Sequence, residues 1–179
     1  MKDNALFTLL KTQLHAGLFP LSPDPIRVLK SYQPSQQGMP SVPTVWLHKI
    51  ADVRTGFPGV REERDDAAGM MREITTQVML ATFQVSATLI TDDDDPLALT
   101  APDVLKQAAT IMQSRRFQLA VKAAGVNILR IGNITTIDVS GDYAGRDLQP
   151  FFEFQINHTD ISVTEIPFIT RTRWQMARI

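Results

Sequence analysis

Between Thr75 and Ile90 the chain reads TTQVMLATFQVSATLI, in which Ala81, Phe83, Val85, Ala87 and Leu89 alternate with Thr82, Gln84, Ser86 and Thr88. Successive side chains on a strand point to opposite faces, so this pattern sets one face on a core and the other toward solvent or a neighbouring subunit. A slip of one residue would turn every apolar group outward, which pins the register. A second alternating stretch runs from Leu148 to Ile166. There Phe152, Phe154, Ile156 and His158 share one face, and Phe151, Glu153, Gln155 and Asn157 share the other. Two such strands require a sheet, and a sheet with one apolar face requires a covering layer.

Helices supply that layer. Leu6, Phe7, Leu10 and Leu14 fall at helical spacing, which predicts a short helix over residues 4 to 16 that opens near Asn4 and closes at Gly17. Thr100, Ala101, Pro102 and Asp103 have the form of a helix start, with threonine as the N-cap and proline in the first turn. Val104, Leu105, Ala108, Ile111 and Met112 mark its buried stripe. Ser114 caps a second segment carrying Phe117, Leu119, Ala120 and Ala123, and Gly125 ends a helical region over about 101 to 124. Shorter strands are expected at 26 to 32, at 45 to 52 with Trp46 and Ile50 turned inward, at 126 to 131 and at 134 to 139, with a turn at 140 to 145. The expected fold class is α+β: a mixed or mostly antiparallel sheet packed against a central amphipathic helix, with a short N-terminal helix. The 179 residues, 44% hydrophobic and 21% charged, suit one domain.

Composition removes several function classes. A formal net charge of -1 provides no global field for nucleic acid or an anionic membrane. The absence of cysteine removes disulfides, thiolate nucleophiles and thiolate metal sites, and fits assembly in a reducing cytoplasm. The first residues lack the unbroken apolar stretch of an export signal, and no segment holds the ~20 apolar residues of a bilayer-crossing helix, so a soluble protein is expected. His15, His48 and His158 lack paired ligand spacing, and no metal site, cofactor or membrane contact is expected. Ser140-Gly141-Asp142 is not a nucleophile elbow. Asp138, Asp142, Asp147 and Glu153 would form an acid and base pair only by converging in space, so no catalytic residue is assigned and the chain is not expected to be an enzyme.

The remaining signals are excursions from the core pattern. Residues 53 to 71, VRTGFPGVREERDDAAGMM, form a charged loop or hairpin in which Arg61 to Asp66 is an unbroken run of charge. A solvated tip is the plainer reading. The sharper one is a docking arm whose opposite charges set register against an identical neighbour, with Arg54, Phe57, Val60, Arg61, Glu62, Glu63, Arg64, Met70 and Met71 as interface candidates. Asp92, Asp93, Asp94 and Asp95 form an acidic run ahead of a helix N-terminus, where the macrodipole favours negative charge. A C-terminal extension over about 167 to 179 holds Arg171, Arg173, Trp174 and Arg178.

The order of elements resembles the bacteriophage neck and tail terminator proteins over nearly the whole chain. The likeness is carried by Gln33, Gln36, Gln37, Met39, Pro40 and Pro43 ahead of Val45-Trp46-Leu47, and by Thr76-Gln77-Val78 entering the long strand. Gly125 after the helix and Gly141-Asp142-Tyr143 before Phe151-Phe152-Glu153 complete it. The resemblance implies a structural virion protein of the phage neck, made in the host bacterial cytoplasm. Its copies form a hexameric ring that ends the tail tube, meets the head connector and passes DNA without gripping it. Asp92 to Asp95 would then suit the lumen, where basic clusters would retain DNA. The alternatives are another tail assembly component (completion, tube or baseplate protein) and a small hydrolase.

Overall fold

A computed structural model describes residues 2–18, 26–30, 42–66, 69–89, 99–140 and 146–167. The elements in chain order are α1 (Asp3–Leu18), β1 (Arg27–Lys30), β2 (Thr44–Asp65), β3 (Met70–Thr88), α2 (Ala101–Gln113), α3 (Arg115–Ala123), β4 (Val126–Ile131), β5 (Thr135–Ser140) and β6 (Arg146–Pro167). They build one sheet in the order β1-β2-β3-β6-β4, with β5 paired to β6. The β1–β2 pair is parallel and the others are antiparallel, so the fold is α+β around a mixed sheet.

One end of the sheet is covered. Ala81, Phe83, Val85 and Ala87 of β3 and Phe152, Phe154 and Ile156 of β6 are buried with Leu6, Leu10 and Leu14 of α1 and Val104, Leu105, Ala108 and Met112 of α2. Phe83 meets Phe7 edge-on at 5.3 Å between ring centroids and stacks on Phe154 at 5.4 Å, geometries that favour aromatic pairs. The inward face of β2 differs from the sequence expectation. Val45 and Leu47 are buried, whereas Trp46 lies half-buried on the other face and Ile50 is exposed. Register explains this, because Val45 pairs with Ala87 and Leu47 with Val85, the positions of β3 that face the helices. Trp46 instead spends its indole N–H on Thr88, 2.9 Å away.

The helices refine two further expectations, at Gly17 and Thr100, and bear out the break expected at Ser114. The first continues through Gly17 to Leu18, and Gly17 is a packing residue: a Cβ there would lie 2.5 Å from Ile111 Cγ2 of α2. The region from 101 to 124 is two helices, broken at Ser114, whose extended backbone ends α2 and whose hydroxyl accepts from the Phe117 N–H at 3.3 Å to cap α3. Thr100 does occupy the N-cap position of α2. Its hydroxyl, however, donates to the Asp103 carboxylate and makes no bond to the backbone. That bond, first among its causes, holds the Asp103 carboxyl below its ordinary value.

Candidate assembly arm

Of the expected loop or hairpin over 53 to 71, the structure has the hairpin, with strand nearly to its tip. β2 has 22 residues, β3 has 19 and β6 has 22, against a usual five or six. Beyond Leu80 the three leave the helices behind and continue as an arm, which from Met70 to Leu80 spans roughly 35 Å at ~3.3 Å per residue. β3 lies in the middle. Among the described residues the outer edge of β2 past the β1 pairing has no strand partner, and neither has that of β6 from Thr159 onward.

Pairing between β3 and β6 runs from Met70–Pro167 to Ser86–Phe151 without a register shift, which fixes the face of every residue on the arm. In the covered half, β3 turns its odd-numbered apolar residues toward the helices. In the arm Ile74, Val78 and Leu80 are even-numbered, so they face the opposite side of the sheet, while Met71 and Met79 keep to the front. Val163 pairs with Ile74, Ile161 with Thr76 and Val53 with Leu80, so all three join the same stripe. Val53, Val78, Ile161 and Val163 are exposed, Ile161 to 61% of its full surface. The arm is therefore apolar on the back of the sheet, on the side away from the helices, where the covered half shows Gln84, Ser86 and Glu153.

Its interface candidates divide between the faces. Arg61, Glu63 and Met70 share the back with the stripe; Arg54, Val60, Glu62, Arg64 and Met71 lie on the front. Phe57 lies in the register shift between Thr55 and Gly59, fully exposed beside Pro58. This bulge needs Gly56, whose φ of 73° is in the left-handed region. The Gln77 side-chain amide holds it by donating to the Thr55 carbonyl at 3.0 Å. Near the tip, Arg72 bridges Asp65 at 2.9 Å and Glu165 at 3.7 Å, and Arg61 meets Glu63 at 3.0 Å. Arg72 on the central strand thus links all three strands near the tip, while the Arg61–Glu63 pair lies within β2.

Two polar groups mark the root, Lys49 half-buried and His158 buried. Lys49 donates to Asp3 of α1 at 2.8 Å and to Asp52, where the arm begins. Burial alone would lower the Lys49 ammonium, but its bonds to Asp3 and then Asp52 outweigh that and raise it; the Lys49 bond correspondingly lowers the Asp3 carboxyl. His158, only 4% exposed, ends the buried face of β6, and neither ring nitrogen has a hydrogen-bond partner. Burial, aided by the Lys49 charge and opposed by Asp52, pushes its pKa down. Asp92 to Asp95, Asp142 and the arginines of the C-terminal extension lie outside the described residues, as do the side chains of Asp138 and Asp147. A shallow recess at the back of the sheet holds Arg130 and Glu153, with Glu153 as its one lining carboxylate. Among the described residues no three His, Cys, Asp or Glu side chains gather as a metal site would require, and no helix is long and apolar enough to cross a membrane.

Charge and glycines in the sequence point only to β2, the turn and the start of β3 at Met70 and Met71. Val53, Ile74, Val78, Ile161 and Val163 were missed. The available signal was the change of alternation phase in both long strands.

A protein-family model described as E217 gateway protein gp29 matches residues 5–168. No curated protein matches. Among solved structures, the chain is similar to the sheath/tube terminator of an extracellular contractile injection system (PVC) in its extended state, at a TM-score of 0.53 and 13% identity. All of this chain is covered, but it spans only 65% of that terminator chain. At this identity the likeness is one of fold.

Proposed function

The chain belongs to the E217 gateway protein gp29 family, and on that footing we propose that it is a structural component of a phage neck whose copies form a ring at the end of the tail. The class is the one that the order of elements in the sequence resembles. In this reading the ring has six subunits, closes the tail tube on one side and meets the head connector on the other. Fold likeness to a sheath/tube terminator supports the place at the tube end.

The observation that carries the reading is the arm. Among the described residues the three strands of the arm have open outer edges and no layer packed on either face, and a ribbon without a buried face is marginal in water, so its length is not explained by the core over the other end of the sheet. An apolar stripe on such a ribbon is satisfied by another chain. Head-to-tail contacts of that kind close into rings when the rotation per subunit divides a full turn. Asp92 to Asp95 are assigned to the lumen in this proposal, where they would keep DNA moving. The reading includes no catalytic step.

Electron microscopy of particles assembled without the protein tests the proposal. Tails of irregular, excess length that lack heads are the expected result. Particles without tubes would instead support a tube or baseplate component, and tails of normal length joined to heads would end both readings.

A further inference from the structure

We propose that the apolar back face of the arm lies against the α3–β4 flank of the next copy of this chain, so that each subunit is donor through its arm and acceptor through its flank. The inference rests on the ring reading and names the two surfaces the ring would use.

Among the described residues the exposed large apolar side chains fall into two groups. One comprises the arm and its root, from Ile50 and Val53 to Ile166. The other is Leu119 on α3 and Leu129 on β4, which stand apart from the arm at the edge of the sheet beyond β6. Leu119 lies on α3 between Phe117 and Val121, which fill the buried side, and Leu129 is turned out by the register shift between Ile128 and Arg130.

Charge divides the same way. From Val104 to Ile137 the sequence contains no aspartate or glutamate, and α3 carries Arg115, Arg116 and Lys122. On the back face of the arm carboxylates outnumber guanidinium groups by one, Glu63, Asp65 and Glu165 standing against Arg61 and Arg72; over both faces and the turn the arm carries Asp52, Glu62, Glu63, Asp65, Asp66, Glu73, Asp160 and Glu165 against Arg54, Arg61, Arg64 and Arg72. An acidic apolar arm and a basic apolar flank are complementary, whereas two arms laid together would oppose like charges. A contact between two different patches of one chain is heterologous, the kind that generates rings.

The cysteine-free sequence makes the contact directly readable. Val163→Cys on the stripe and Leu119→Cys on the flank change exposed residues, and a short bis-maleimide can join them in the purified full-length chain or in assembled particles. Chains carrying both substitutions should give a ladder of covalent oligomers ending at the ring. A mixture of the two single variants should stop at dimers, and each single variant alone should give none. Arg115→Glu with Arg116→Glu should weaken self-association at least tenfold at low salt, and Glu63→Lys with Glu165→Lys should restore it. Cross-linking by Val163→Cys alone would overturn the proposal in favour of arm-to-arm contact. Protection of that cysteine in the monomer, relieved by ending the chain at Pro167, would overturn it in favour of residues 168–179 as the cover. If the double variant gives no ladder while the protein still sediments as a ring, the contact lies elsewhere and the ring reading survives. A chain that remains monomeric even with tail tube and connector ends the ring reading itself.

Discussion

His158 sits where the covered half of the sheet gives way to the arm, and its buried ring lacks hydrogen-bond partners. A cation there would be desolvated beside Lys49, so the folded protein keeps the ring neutral to lower pH than the unfolded chain does. The sign follows from proton counting. Below the free value of 6.5 the unfolded chain takes up a proton that the folded one refuses, so stability falls as pH drops through that value toward the lowered folded pKa. The slope approaches ~1.4 kcal/mol per pH unit within that window. Melting temperatures measured from pH 7.5 to 5 should decline, and His158→Leu should remove most of the decline. An unchanged slope in that variant would refute the assignment. Asp3 titrates in a separate window: its lowered carboxyl stabilises the folded chain above 3.8 and ceases to do so as pH falls through the folded value, leaving the Lys49 link without its partner on α1.

Between elements, α1 and α2 approach closely at Gly17. A methyl group there would penetrate Ile111 Cγ2, an atom on a stiff β-branched stem close to its own backbone. Gly17→Ala should therefore destabilise the protein by roughly 1 to 3 kcal/mol, despite the better helix propensity of alanine. Thermal unfolding would show this as a loss of several degrees, and Ile111→Ala combined with it should cost less than the two changes summed. The glycine reads as a helix stop in the sequence because its neighbour across the α1–α2 contact is 94 positions away by residue number, beyond any local pattern. Elements that bury their own apolar face were legible: α1, the Ser114 break and the inward residues of β3 and β6 all show their period. Trp46 and Ile50 misled because size and apolarity indicate a core, while pairing with Val85 and Ala87 chose Val45 and Leu47. The arm was legible as charge and as an interruption. Its strands were obscure because Ile74, Val78, Ile161 and Val163 alternate in the opposite phase from Phe83 and Phe154.

At the scale of the whole molecule, a ring that ends a tail must let a polyanion pass while its subunits hold one another. A net charge of -1 per chain suits this only if cations are used at contacts and the bore is left without them. The proposed arrangement does so, committing Arg115, Arg116 and Lys122 to the flank and assigning Asp92 to Asp95 to the lumen. Replacing those four aspartates by lysines would then convert the bore into a phosphate-binding sleeve, and each phosphate neutralised adds about 0.9 to the slope of affinity against salt on logarithmic axes. Preformed rings of the lysine variant should retain linear duplex DNA at low salt and release it steeply as salt rises, while rings of the unaltered chain retain little. Topology separates the bore from the outer wall. A closed ring can be threaded by a linear duplex but not by a covalently closed circle, so filter retention should distinguish the two substrates at equal length. Equal retention of circle and linear duplex would place the acidic run outside the bore and require some other element to line the path of the DNA.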